Sequence, residues 1–318
     1  MRENTQEHLL TIAISTRALF NLEVEHEIFI QQGAKAYVDY QIEREEEILE
    51  PGPAFELVQS FLNLNHLPGH EKMIRIIIMS KNSADASLRI FHSIEQYQMD
   101  ITQAVLTTGG TIAPYLSAFH SDLYLSADEE DVRAALQMGI AAGLVCCHST
   151  EQGQEKGARL DTEMKAELNC KIRIAFDGDA VLFSDEAEQI FQTQGVEAFC
   201  KNEKAKARTP LPQGPFANFL RTISKIQEMY SSEESPIKTA LVTARSAPAH
   251  ERVIRTLRNW GVRIDEAFFL GGLDKSEVLE AFGADIFFDD NAAYTSKAAK
   301  VVLSARVPYG INDTEKVG

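Results

Sequence analysis

The chain has 318 residues, 44% hydrophobic and 25% charged, the balance of a folded polypeptide long enough for two domains rather than of a disordered one. A formal charge of −16 at pH 7, with no basic patch to offset it, argues against DNA, RNA or an anionic membrane as partner, and no apolar run approaches a membrane span. The start, MRENTQEHLLTIAIS, fits neither a secretory signal nor an arginine-rich transit peptide, and Cys146, Cys147, Cys170 and Cys200 have no metal-ligand spacing, so reduced thiols in a cytoplasmic protein are expected.

In chain order, short apolar runs near 11–15, 74–79, 104–107 and 123–126 read as buried parallel strands. Between them lie helical patterns such as Ser87 to Tyr97, where apolar residues recur three and four apart. Residues 1–149 thus form one α/β half. The polar stretch 150–170 is the expected linker. Strands near 172–176, 238–243, 267–270 and 285–289, with a helix from Pro248 to Trp260, make a second α/β half over 171–318. Residues 184–235 are too long for a plain connection and are expected to form a small cap.

The two halves correspond. Residues 12–61 lie over 174–223 without a gap at an offset of 162, pairing Gln32-Gly33 with Gln194-Gly195 and Gly52-Pro53 with Gly214-Pro215. After a one-residue shift, MSKNSADASLRIFHSIEQY continues over VTARSAPAHERVIRTLRNW. The first half reads as a degenerate, non-catalytic duplicate, because it lacks the acidic groups of the second. Ser15-Thr16-Arg17 stands where the second has Asp177-Gly178-Asp179, Ser80 where it has Thr243, and Ser126-Ala127 where it has Asp289-Asp290.

These polar groups all follow apolar runs or begin helices at the edge where parallel sheets carry their chemistry. Asp177 is placed to attack phosphorus, which divides one hard hydrolysis into two easier steps. Asp179 is placed to protonate the leaving oxygen and then deprotonate the attacking water, with Gly178 expected to give the tight turn between them. Two carboxylates and a phosphate need a cation, and an all-oxygen donor set favours Mg²⁺, held by Asp177, Asp289 and the Asp179 carbonyl. Asp290 is expected in a supporting position. Lys275, the Thr243 hydroxyl and the backbone at Ala244 are expected on the phosphate oxygens. Arg245 is a candidate substrate contact, and Phe183, Phe191 and Phe199 are candidates to stack on a base.

The set Asp177-x-Asp179, Thr243, Lys275 and Asp289-Asp290 resembles the four motifs of the haloacid dehalogenase (HAD) superfamily of phosphatases. The runs ISTRALF, EHEIFIQQGAKAYVDYQ, FHSDLYLSADEEDVR, FDGDAVLFSDEAE and TARSAPAHERVI are similar to the type I cytosolic 5′-nucleotidases. The resemblance implies a HAD-like Rossmannoid parallel sheet with a small cap. It also implies Mg²⁺-dependent hydrolysis of nucleoside 5′-monophosphates, with AMP prominent among them, and members activated by nucleoside diphosphates make a nucleotide effector reasonable. A homo-oligomer is expected. The alternatives are a HAD phosphatase for another small phosphate ester and a nucleotide-sensing or scaffold protein with incidental hydrolysis.

Overall fold

A computed structural model describes residues 9–67, 73–146 and 171–311; the expected linker, with Cys147, His148 and Cys170, lies outside the described residues. Contacts divide the chain into two compact units. Unit 1 holds the residues up to Ile140, and unit 2 holds Ala141–Leu144 with the described residues from Lys171 on.

Unit 1 opens with β1 (Leu10–Ile14), fully buried, followed by the single turn α1 (Thr16–Leu19). A helical pair, α2 (Glu23–Gln32) and α3 (Ala34–Glu43), meets at Gly33, whose φ of +87° disfavours any side chain. Then come α4 (Phe55–Asn63), β2 (Ile74–Ser80), α5 (Leu88–Gln96), β3 (Gln103–Leu106), α6 (Ala113–Ala118), β4 (Leu123–Ser126) and α7 (Glu129–Gln137). The strands stand in the order β3-β2-β1-β4, and each described pairing is parallel. The apolar runs are continuous because both faces of each inner strand are covered.

Unit 2 takes β5 (Ala141–Val145) as an edge and continues with β6 (Ile172–Phe176). The long α8 (Glu186–Ala205) is broken at Gly195, where φ is +83°, as Gly33 breaks the helical pair of unit 1. Next are α9 (Ala217–Gln227), β7 (Ile237–Thr243), α10 (His250–Trp260), β8 (Glu266–Phe269), α11 (Ser276–Phe282), β9 (Ile286–Asp289), α12 (Ala292–Ala298) and β10 (Leu303–Arg306). The order is β5-β10-β9-β6-β7-β8.

Strand register recurs between the units. Leu10 faces Ile74 and Ile172 faces Ile237; Ile12 lies beside Leu123 and Ile174 beside Ile286; Ile77 lies beside Gln103 and Ala240 beside Glu266. The displacement is that of the sequence correspondence, one position larger after the first strand of each unit.

Alternation along β6 and β9 builds two layers in unit 2. Ala175 and Phe287 enter a cluster with Ala240, Val242, Leu279 and Phe282. Phe176 and Phe288 point the other way, stacked at 5.7 Å, against Phe216 and Phe219 of the α9 segment. The segment expected as a cap divides in two. Of residues 184–235, α8 is exposed through 191–197, whereas α9 buries Phe219, Leu220, Ile223 and Ile226 and belongs to the core. A second difference is β5, expected in the first half but grouped with the second. A Cβ on Gly143 would come within 2.8 Å of the Ala305 methyl and 3.1 Å of the Phe288 ring, so only glycine lets this strand approach so closely.

Gly214 gives the sharpest local test of this packing. A Cβ there would collide with the carbonyl oxygens of Phe183 and Val181, and backbone cannot step aside as a side-chain tip can. Gly214→Ala should lower the unfolding free energy by about 1–3 kcal/mol or more in urea titrations. An unchanged midpoint would show that the Phe183–Gln213 bridge is not packed as described.

Candidate active site

Three strand ends of unit 2 bring the site together. β6 delivers Asp177, β7 ends on Thr243 and β9 ends on Asp289, all buried. After Asp177 the chain makes a wide turn over Gly178–Leu182, closed by the Phe183 N–H donating to the Gly178 carbonyl at 2.8 Å. Gly178 is needed for a different reason from the one expected. The left-handed residue of the turn is Ala180, φ +60°, while a Cβ on Gly178 would lie 3.2 Å from the Thr243 hydroxyl. The glycine therefore allows close approach between two strand ends. Thr243 in turn accepts the Arg245 N–H at 3.2 Å, and Ala244 between them is exposed.

Lys275, at the start of α11, is the tie. Its ammonium donates to Asp177 Oδ1 at 2.8 Å and to Asp289 Oδ2 at 2.6 Å while only 2% of the residue is exposed. The rings of Tyr294 and Phe287 sit 4.7 and 5.3 Å from it. Burial works against this ammonium, yet the two carboxylates lift it above the ordinary lysine value. Burial pushes the Asp177 carboxyl up to about 7; Lys275 opposes that shift and Asp289 adds to it.

Asp290 closes the group. Carboxylate oxygens of Asp177, Asp289 and Asp290 all lie within 4.8 Å of one another, a spacing and donor type that suit a hard divalent cation. Sequence reasoning put Asp290 in support and Asp179 among the ligands through its backbone. The Asp290 side chain lies with those of Asp177 and Asp289, and the Asp179 side chain is turned toward Arg245.

Asp179 is held by Arg245, Nη2 to Oδ1 at 2.6 Å and Nε to Oδ2 at 2.8 Å. The other arm of Arg245 donates to Glu203 at 2.5 Å, and Glu203 accepts from Arg252 at 2.7 Å. Glu203 is completely buried on α8. A chain of alternating charge thus runs from α10 through α8 to Asp179. Glu203 and Arg252 escaped the sequence reading because a glutamate in CKNEKA looks like a solvated helix face; the usable signal was the arginine shared by Arg89 and Arg252 in the aligned halves.

At the expected nucleoside end, Phe183 is wholly buried with its ring 5.5 Å from Trp260, so its face is already covered. Phe191 and Phe199 form an edge-to-face pair at 6.1 Å on α8, with Phe191 exposed and the Arg245 guanidinium 5.6 Å from the Phe199 ring. These two remain placed near the charged network.

A buried carboxylate cluster tied by one lysine thus stands at the C-terminal edge of a parallel sheet in an α/β unit. The profile of the 5′-nucleotidase family matches residues 1–314, and the chain belongs to that family. It is 37% identical over 313 residues to human cytosolic 5′-nucleotidase 1B, covering 95% of this chain and 49% of the relative; the chain spans about half the length of that protein. Among solved structures, a histidinol dehydrogenase from Elizabethkingia anophelis aligns with 9% identity over 96% of this chain and 86% of its own, at a TM-score of 0.21, too low to bear on the fold. No helix among the described residues is long and apolar enough to cross a membrane.

The Asp177 carboxyl makes stability depend on pH in metal-free protein. Folded, it keeps a proton that the unfolded carboxyl, with its ordinary value of 3.8, has lost; the contribution is complete below 3.8 and disappears as pH rises through about 7. In chelator, the urea midpoint should therefore fall between pH 4.5 and 7.5, and Asp177→Asn should flatten that fall. Equal slopes in the two proteins would remove Asp177 as its source.

Proposed function

We propose that the chain is a cytoplasmic, Mg²⁺-dependent 5′-nucleotidase that hydrolyses nucleoside 5′-monophosphates to nucleoside and phosphate through an aspartyl-phosphate on Asp177. The observation that carries this reading is the cluster of Asp177, Asp289 and Asp290 tied by Lys275, in a chain of the 5′-nucleotidase family. In this reading unit 2 is the HAD-like catalytic domain and unit 1 a copy of the same α/β unit that has lost its carboxylates. The recurring strand order and register support the copy.

Mg²⁺ held by Asp177, Asp289 and the Asp179 carbonyl, with Asp290 beside them, would neutralise phosphate charge and leave Lys275 to the nucleophile and one phosphate oxygen. An Asp177 oxygen attacks phosphorus, and the bond from phosphorus to the 5′ oxygen breaks. The leaving oxygen takes a proton from Asp179. Water then attacks the phosphorus, returning a proton to Asp179 and releasing phosphate with the Asp177 carboxylate restored. Thr243 and the backbone beyond it would position the remaining phosphate oxygens. A carboxylate gripped by two guanidinium N–H groups cannot carry that proton, so Arg245 must release Asp179 on each turnover.

Asp179→Asn should slow AMP hydrolysis by roughly 10²–10⁴-fold and should cost far less on aryl phosphates, whose leaving groups need no proton. An equal loss on both substrates would exclude Asp179 as the acid.

Phosphate release across ribo- and deoxynucleoside monophosphates, with and without Mg²⁺, tests cofactor and substrate together. Chelation should abolish turnover and Mg²⁺ restore it, while Asp289→Ala should raise the Mg²⁺ requirement. Full activity in chelator would defeat the metal assignment, and turnover confined to sugar phosphates would move the chain to another phosphatase class.

A further inference from the structure

Unit 1 contains a cavity of about 520 Å³ at the edge that corresponds to the catalytic edge of unit 2. Its floor is made by the ends of β1, β2 and β4, with Ser15, Ser80 and Ser126 in the places of Asp177, Thr243 and Asp289. The volume falls in the range of small-molecule sites.

The polar groups there are of two kinds. Ser80 and Ser126 accept backbone N–H groups two residues on, at 3.1 Å each, as Thr243 and Asp289 do in unit 2. Ser15 accepts from Ala18 and Ala127 at 3.3 Å. These hydroxyls brace the floor. A second set has capacity left. The Tyr124 hydroxyl, wholly buried, and the side-chain atoms Asn82 Nδ2 and Ser83 Oγ make no hydrogen bond within normal geometry, although all three residues line the cavity. Tyr124 has the Ser126 hydroxyl near it, and the Asn82 side chain the Tyr37 hydroxyl, which leaves Ser83 the least engaged of the three groups. All three groups can donate, so they suit a ligand that brings acceptor oxygens.

Charge points the same way. Arg17 lines the cavity where unit 2 has Asp179, paired with Glu23 at 2.8 Å. Lys81 also lines the cavity, held by Asp128 at 3.1 Å and Asp131 at 3.0 Å. The Asp128 side chain is 42% exposed, so an incoming anion can take its place on Lys81 at small cost. Asp128 and Asp131 stand beyond the strand end and are engaged by Lys81, and no carboxylate occupies the Asp177 or Asp179 position. Above the floor, α2 and α3 contribute Leu22, Phe29, Tyr37 and Val38, the two rings edge to face at 6.1 Å. Donors and cations at the bottom under aromatic and aliphatic walls match a phosphate joined to a flat, apolar body.

We infer that unit 1 is a second ligand site, which binds a phosphate monoester carrying an aromatic ring and holds it without hydrolysis. The phosphate lies toward Arg17, Lys81, Asn82 and Tyr124, and the ring toward Phe29 and Tyr37. The inference rests on the groups of unit 1 and does not require unit 2 to hydrolyse nucleotides.

Equilibrium dialysis of AMP against the full chain carrying Asp177→Asn tests it, before and after adding Arg17→Gln with Lys81→Met. One bound AMP per chain should be lost, with affinity at that site falling by at least about tenfold; a fall from two to one or from one to none supports the site equally, and only the first also reports binding in unit 2. Because Lys81→Met strips Asp131 of a partner, Ala34→Trp serves as the parallel variant: Ala34 is exposed and lines the cavity, so the indole fills it without breaking a buried pair. That variant should lose the same AMP with its unfolding midpoint unchanged. Full stoichiometry in either folded variant overturns the proposal. Adenosine binding within about threefold of AMP would overturn the phosphate contact, and inorganic phosphate binding as tightly as AMP would overturn the ring contact.

Discussion

Asp177 and Asp289 end adjacent parallel strands with their carboxylates out of water, and such a pair persists only if a counter-charge is buried with it. Lys275 supplies that charge, and much of unit 2 follows from where it has to be. The helix α11 begins on it, so the lysine stem is fixed by the packing of Leu279 and Phe282 on the sheet. Tyr294 and Phe287 wall off the ammonium and strengthen both hydrogen bonds by excluding solvent. The Asp290 carboxylate gathers with these two, its oxygen within 4.8 Å of theirs.

A separate constraint acts on Asp179. It leaves the same turn as Asp177, yet Arg245 draws its carboxylate away from the acidic cluster and into the network of Glu203 and Arg252. The bidentate pair with Arg245 offsets the Asp179 charge. It also links Asp179 to α8, because Glu203 bridges Arg245 and Arg252. Exposed Phe191 and the Phe199 ring beside Arg245 occupy that same helix. A ligand that shifts α8 therefore changes the grip on Asp179 through one guanidinium.

Strand positions and the placement of Asp177, Thr243 and Asp289 at strand ends were legible because each inner strand is an unbroken apolar run that stops on a polar group. The parts that were not legible depend on partners distant in sequence. β5 is short and rich in alanine and glycine, and its place beside β10, with Gly143 close to Ala305 and Phe288, makes it a strand of unit 2. The expected cap was too long because α9 has the polarity of a surface helix on one side, while Phe216 and Phe219 meet Phe288 on the other. Phe183 looked available for a base until Trp260, far along the chain, covered its ring. Glu203 gave no local sign of burial at all.

The internal correspondence separates what the scaffold requires from what chemistry adds. Thr11 N–H to Asp122 and Arg173 N–H to Asp285 occupy matching places, so that carboxylate at the far end of the sheet belongs to the scaffold. Arg89 and Arg252 also match, each buried. Arg252 meets Glu203, while Arg89 meets Gln41 at the equivalent position and takes its charge partner from Glu25 instead. Replacing glutamate by glutamine at that point removes the need for a second arginine, and Asn82 stands where unit 2 has Arg245. With no arginine there, no acid is needed at the next position, and Arg17 replaces Asp179. Each exchange along the series is electrostatically consistent with the one before it, and in unit 1 the residues Asn82, Ser83 and Tyr124 line a cavity.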